Sequence, residues 1–138
     1  MKQHRIWRFL FWLYCAMMLW LLFDRTGHSE PKYNLIPFET IQLFWKLLSH
    51  PQFRRDAIVN LGGNVIMFLP LGFLLPKVFP KLEGIGKILL TTAAVITMVE
   101  LTQLFTLLGS CDTDDLMLNV IGSAIGYGIH CIAKKRLS

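Results

Sequence analysis

Seven polar side chains stand out within or beside the apolar runs of this chain: Asn60, Asn64, Glu100, Gln103, Asp112, Asp115 and Asn119. Asn60 and Asn64 lie four residues apart, Glu100 and Gln103 three apart, and Asp112, Asp115 and Asn119 three and four apart. Each set shares one helical face, provided that the acidic turn already begins its helix. In lipid an unpaired amide is costly, and a carboxylate near mid-membrane costs about 2.5 to 3.5 kcal/mol even on the lenient insertion scale. Glu100 is therefore expected to be protonated, paired or functional, with the amides of Asn60 and Asn64 as its partners. Two kinds of chemistry are open to such a set. One is a small polar pocket of negative potential that binds a ligand. The other is a carboxylate site in which Glu100 is a general base, or joins Asp112 and Asp115 around a metal. No nucleophile paired with a base supports the second. His4, His28, His50 and His130 are scattered, and the carboxylate spacing matches no established metal motif. Binding is expected over catalysis, with no metal and no cofactor. Asn60, Asn64 and Gln103 could also serve only to fix the packing of a bundle.

The elements that must position these residues follow from composition. With 138 residues, 54% of them hydrophobic, and a mean hydropathy of +0.48, the chain is too apolar for an ordinary soluble domain. It is long enough for about four membrane helices of roughly 20 residues each. The expected fold is an all-α integral membrane protein, one domain over 1–138, with spans at 6–23, 58–75, 88–108 and 116–133. The net charge of +5 does not point to nucleic acid, because Lys and Arg sit in short clusters beside apolar runs. The first run follows Lys2, Arg5 and Arg8, lacks a small-x-small cleavage site, and reads as a retained anchor. Cys15, Cys111 and Cys131 lie in three different segments and read as packing residues. Pro70 deprives the carbonyl of Ile66 of its helical donor and predicts a kink in the second span. Between the first two spans, the segment 37–49 places Phe38, Ile41, Phe44, Trp45 and Leu48 at helical spacing, opposite Glu39, Gln42, Lys46 and Ser49. It is too short to span, and an interfacial helix lying on the membrane, or equally a cover packed on the spans of its own chain, is expected.

Lys and Arg number three before the first span, five in the long first loop, three in the second connection, none in the third and three at the tail. Both termini inside puts nine on the cytoplasmic side and five outside, so an N-in/C-in topology in the cell membrane is expected. The interfacial helix and the acidic turn then face outward. At about 1.5 Å per residue, Asn60 and Asn64 lie roughly 3 and 9 Å below the outer end of their span, and Gln103 and Glu100 roughly 8 and 12 Å below theirs. Asn119 sits about one turn into the last span. Polar residues from three separated stretches thus converge in the outer half of the bilayer. The inner halves are almost wholly apolar, which argues against a proton or solute pathway. The last span continues as Gly122, Ser123 and Gly126, a small-residue face against which the second and third spans are expected to pack.

The strings NLIPFETI at 34–41, NLGGNVIMFLPLGFLLP at 60–76, ELTQLFT at 100–106 and DTDDLMLNVIGSAIGY at 112–127 occur in the order found in the VanZ-like family of small bacterial membrane proteins, which this chain resembles over about three quarters of its length. Many relatives carry an arginine before the acidic turn, where this chain has Gly109, Ser110 and Cys111. The resemblance implies a membrane protein linked to resistance against glycopeptide antibiotics, teicoplanin above all, without supplying a mechanism. Expected partners are the lipid bilayer, a lipid-linked cell-wall precursor or a lipoglycopeptide, or another membrane protein. The alternative is an intramembrane enzyme acting on a lipid-linked envelope intermediate.

Overall fold

The computed structural model describes residues 2–23, 30 and 32–137. Four long helices dominate: α1 (Lys2–Phe23), α3 (Arg54–Val78), α4 (Ile85–Thr106) and α5 (Thr113–Leu137). All four are long and apolar enough to cross a membrane. Their outward faces carry large apolar side chains, with Leu90 74% and Phe105 82% exposed. Water would penalise such a surface, whereas lipid tails would not. Between α1 and α3 lies a short helix, α2 (Glu39–Leu47), and a single 3₁₀ turn, Pro80–Leu82, links α3 to α4.

The boundaries show which local rules prevailed. Helix α3 runs through both Pro70 and Pro76 and begins before Ile58. Each proline removes one backbone donor, yet Leu71, Gly72, Leu74, Leu75, Pro76 and Val78 are buried around them and hold the helix together. Helix α4 stops where Leu107 turns left-handed (φ 58°). Helix α5 starts at Thr113, so the acidic turn is its first turn. There Asp112 caps it, one carboxylate oxygen accepting the Asp114 N–H at 2.8 Å. Asp114 and Asp115 also place negative charge at the positive end of the helix.

The close contact in the bundle is between α3 and α5, and glycine makes it possible. A Cβ on Gly122 would lie 2.1 Å from the carbonyl oxygen of Val65, and one on Gly126 would lie 1.9 Å from that of Leu69. From the other side, a Cβ on Gly72 would meet the Ser123 carbonyl oxygen at 1.9 Å. Backbone therefore lies on backbone, the arrangement that small residues permit in apolar helices. Helix α4 joins through Thr92, whose hydroxyl is 2.7 Å from that of the fully buried Ser123. Helix α1 buries Phe11, Tyr14 and Met18 against Phe68, Leu71 and Leu75 of α3. The Tyr14 hydroxyl donates to the carbonyl of Met67 at 2.9 Å.

A feature absent from the expected all-helical fold is a two-stranded parallel pair. Strand β1 (Lys32–Asn34) pairs with β2 (Ser110–Asp112), Tyr33 opposite Cys111. β1 shortly precedes α2 and β2 leads straight into α5. The pair thus brings the starts of these two helices together at the end of the bundle remote from residues 2 and 137.

Candidate functional site

The site is built from those two helix starts. Helix α2 begins after Phe38, which adopts a left-handed backbone (φ 68°) and offers no capping side chain. A helix start leaves several N–H groups without helical partners. Asp114 of α5 supplies the missing acceptors: Oδ1 takes the Phe38 N–H at 2.6 Å and Oδ2 takes the Ile41 N–H at 2.9 Å. Its side chain is fully buried. Beside it, Asn34 donates through Nδ2 to the Thr40 hydroxyl at 2.9 Å, and that hydroxyl donates to Asp112 Oδ2 at 2.7 Å. Asp112 therefore uses one oxygen to cap its own helix and the other to hold α2.

Between α2, α3, β2 and α5 lies a cavity of about 420 Å³. Its polar wall consists of Thr40, Asn60, Asn64, Ser110, Asp112 and Asp115, and Phe44, Val59 and Met67 supply an apolar one. Across it Asn64 donates its amide to Asp115 Oδ1 at 2.5 Å. Asn60 carries a buried amide oxygen with no hydrogen-bond partner. Such an oxygen forgoes about 1 to 3 kcal/mol that a bound donor would restore.

Of the seven residues singled out in the sequence, Asn60, Asn64, Asp112 and Asp115 line this cavity. Glu100 does not. It is 8% exposed and accepts the backbone N–H of Asp112 at 3.0 Å, facing a second, smaller cavity of about 170 Å³ with Leu35, Cys111 and Leu116. Its expected pairing with the second-span amides is corrected accordingly. The Asn64 amide goes to Asp115 of α5 instead. Asp112 borders both cavities. Gln103 is buried and donates to the Leu22 carbonyl at 2.7 Å, tying α4 to the end of α1. Asn119 is buried with an amide oxygen that has no partner, and it lines neither cavity. Asp114 was not among the seven because it lies off the face shared by Asp112, Asp115 and Asn119. The signal that could have found it is an amphipathic helix whose first residues follow Phe38, with no Ser, Thr, Asp or Asn at that position to cap it.

Among the described residues, the carboxylates of Glu100, Asp112, Asp114 and Asp115 gather at this end. Backbone N–H groups and amides offset them, and two helix starts point at the cluster. Among the described residues no group of three His, Cys, Asp or Glu side chains forms a metal-binding set. The Cys111 thiol lies in the connection between α4 and α5. Burial first, then the nearby Glu100 and Asp112 carboxylates, push its pKa up and keep it protonated at neutral pH. The arrangement accepts hydrogen bonds from a ligand more readily than it abstracts protons.

Compared with known proteins, residues 9–134 match the VanZ/LLP1 family model. The chain is 22% identical to Protein VanZ of Enterococcus faecium, in an alignment covering 91% of this chain and 74% of that protein. No solved structure matches it. With the family model spanning nearly the whole bundle, from α1 into the last turns of α5, the chain belongs to the VanZ/LLP1 family.

Proposed function

We propose that this chain is a multi-pass protein of the bacterial cell membrane whose polar cavity binds a lipid-linked cell-wall precursor or a lipoglycopeptide, and that it binds without catalysing a reaction. Both termini face the cytoplasm, and α2 lies at the outer surface with Trp45 near the headgroups. This orientation rests on the Lys and Arg distribution, with the clusters at 2–8, 77–87 and 134–136 all at one end of the bundle. The cavity then opens in the outer leaflet, where lipid-linked precursors and acylated drugs present amides and hydroxyls. The observation that carries the reading is the partnerless amide oxygen of Asn60, set in a wall with the Asn64–Asp115 pair. The enzymatic alternative draws less support: among the described residues the carboxylates accept hydrogen bonds from backbone N–H groups and amides, the Thr40 hydroxyl beside Asp112 is itself held by Asn34, and the Cys111 thiol stays protonated at neutral pH.

The similarity to Protein VanZ supports testing glycopeptide resistance directly. A sensitive Gram-positive host expressing the chain is expected to tolerate teicoplanin better, with vancomycin susceptibility unchanged. Asn60→Leu at equal membrane abundance should abolish the protection. Equal susceptibility with and without the chain would refute a resistance role.

A further inference from the structure

At the opposite end of the bundle from the polar cavity lies a further cavity, of about 450 Å³, whose charged wall is formed by His4, Lys77, Glu83, His130 and Lys134. Lys77 Nζ is held 4.3 Å from the centre of the Trp7 ring and 4.8 Å from that of Phe73. Aromatic faces fix an ammonium group without neutralising it. Among the described residues Lys77 makes no ion pair. The Lys134 ammonium is 2.5 Å from Glu83, whose carboxylate also lies 3.9 Å from His130 Nε2. His130 is 6% exposed, stacked on Tyr127, and its Nδ1 has no partner. Among the described residues that line it, two ammonium groups and two imidazoles thus share the wall with one carboxylate, that of Glu83. A group with two or more anionic oxygens would complete the set.

Beside this cavity runs a groove of about 430 Å³ whose walls are almost wholly apolar, including Leu10, Leu69, Pro70 and Ile129. Trp7 borders both spaces, and Phe73, which lines the groove, also carries Lys77 on its ring. A cationic head pocket therefore adjoins an open apolar groove along the helices. Basic pockets between membrane helices are matched by lipid phosphates. We infer that this end of the bundle is a binding site for one anionic phospholipid, its phosphate between Lys77, Lys134 and His130 and an acyl chain in the groove between α1, α3 and α5. The site shares with the proposed function only the premise that the bundle lies in a bilayer.

The test is native mass spectrometry of the full chain released from mixed micelles containing equal phosphatidylglycerol and phosphatidylcholine. Phosphatidylglycerol should be retained over phosphatidylcholine by about five-fold or more, the effect of one well-placed cation. Lys77→Gln should lose most of that preference. Glu83→Gln, which removes the competing carboxylate, should increase retention, an opposite change that loss of folding would not produce. Leu10→Trp, which fills the groove, should weaken lipid retention. Equal retention of the two lipids, or unchanged preference in Lys77→Gln, would overturn the inference. So would soluble glycerophosphate displacing the lipid at equal concentration, since the acyl groove would then contribute nothing.

Discussion

Asn60 and Asp114 illustrate opposite uses of a buried oxygen. The Asn60 amide oxygen has no partner, so Asn60→Leu should raise thermal stability in detergent by about 1 to 3 kcal/mol while weakening ligand binding. A stabilised variant that also kept full binding would remove Asn60 from the site. Asp114 instead takes two N–H groups at the start of α2. Asp114→Ala should cost about 0.5 to 2 kcal/mol by removing the acceptors that cap α2, and proteolysis should then cut between α1 and α3 more readily. Cys111 supplies a pH readout, because its pKa is raised and only the thiolate reacts. Its alkylation should be slow at pH 7 and accelerate through a higher pH window than that of an unperturbed cysteine. The convergence of Asn64 with the acidic turn was legible from helical depth alone. The role of Asp114 was not, since its partners are backbone groups more than seventy residues away, which no side-chain pattern records. Glu100 likewise accepts a backbone N–H, that of Asp112, which its spacing from the second-span amides does not record.

At the scale of elements, the long apolar runs placed four helices, because backbone groups in lipid must be satisfied within each segment. Their ends moved by a few residues, where packing held α3 together through Pro76 and where Asp112 capped α5 early. The parallel strand pair left no trace in the sequence: each strand is three residues long, and the partners are 78 positions apart in register. The glycines divide by what surrounds them. Gly122→Val should prevent the approach of α3 to α5 and destabilise the bundle by about 3 kcal/mol or more, an overpacking cost at the upper end because the neighbour is backbone. Gly62→Ala meets nothing within 4 Å and should be neutral or stabilising by up to about 1 kcal/mol. Thermal unfolding of the two variants, side by side, separates these outcomes. At the other end, the Lys134 hydrogen bond holds Glu83 below its ordinary pKa. The link from α5 to the α3–α4 turn is thus at full strength above the ordinary carboxylate range, and is lost as pH falls through the lowered value.

As a whole the molecule is a bundle with two dissimilar ends. One end joins short strands, α2 and the start of α5 around a polar cavity, and the other gathers cations beside an apolar groove. On the proposed function, the first of these cavities holds a ligand and leaves it unchanged. The most direct test is a binding titration of the purified chain in nanodiscs with a lipid-linked cell-wall precursor and with teicoplanin, followed by recovery of each ligand for mass analysis. Saturable binding of at least one of them is expected, weakened about tenfold by Asn60→Leu, the worth of one hydrogen bond to a ligand, with the ligand recovered intact. Binding that Asn60→Leu leaves untouched, no binding of either ligand, or a ligand recovered in altered form would contradict the proposed function.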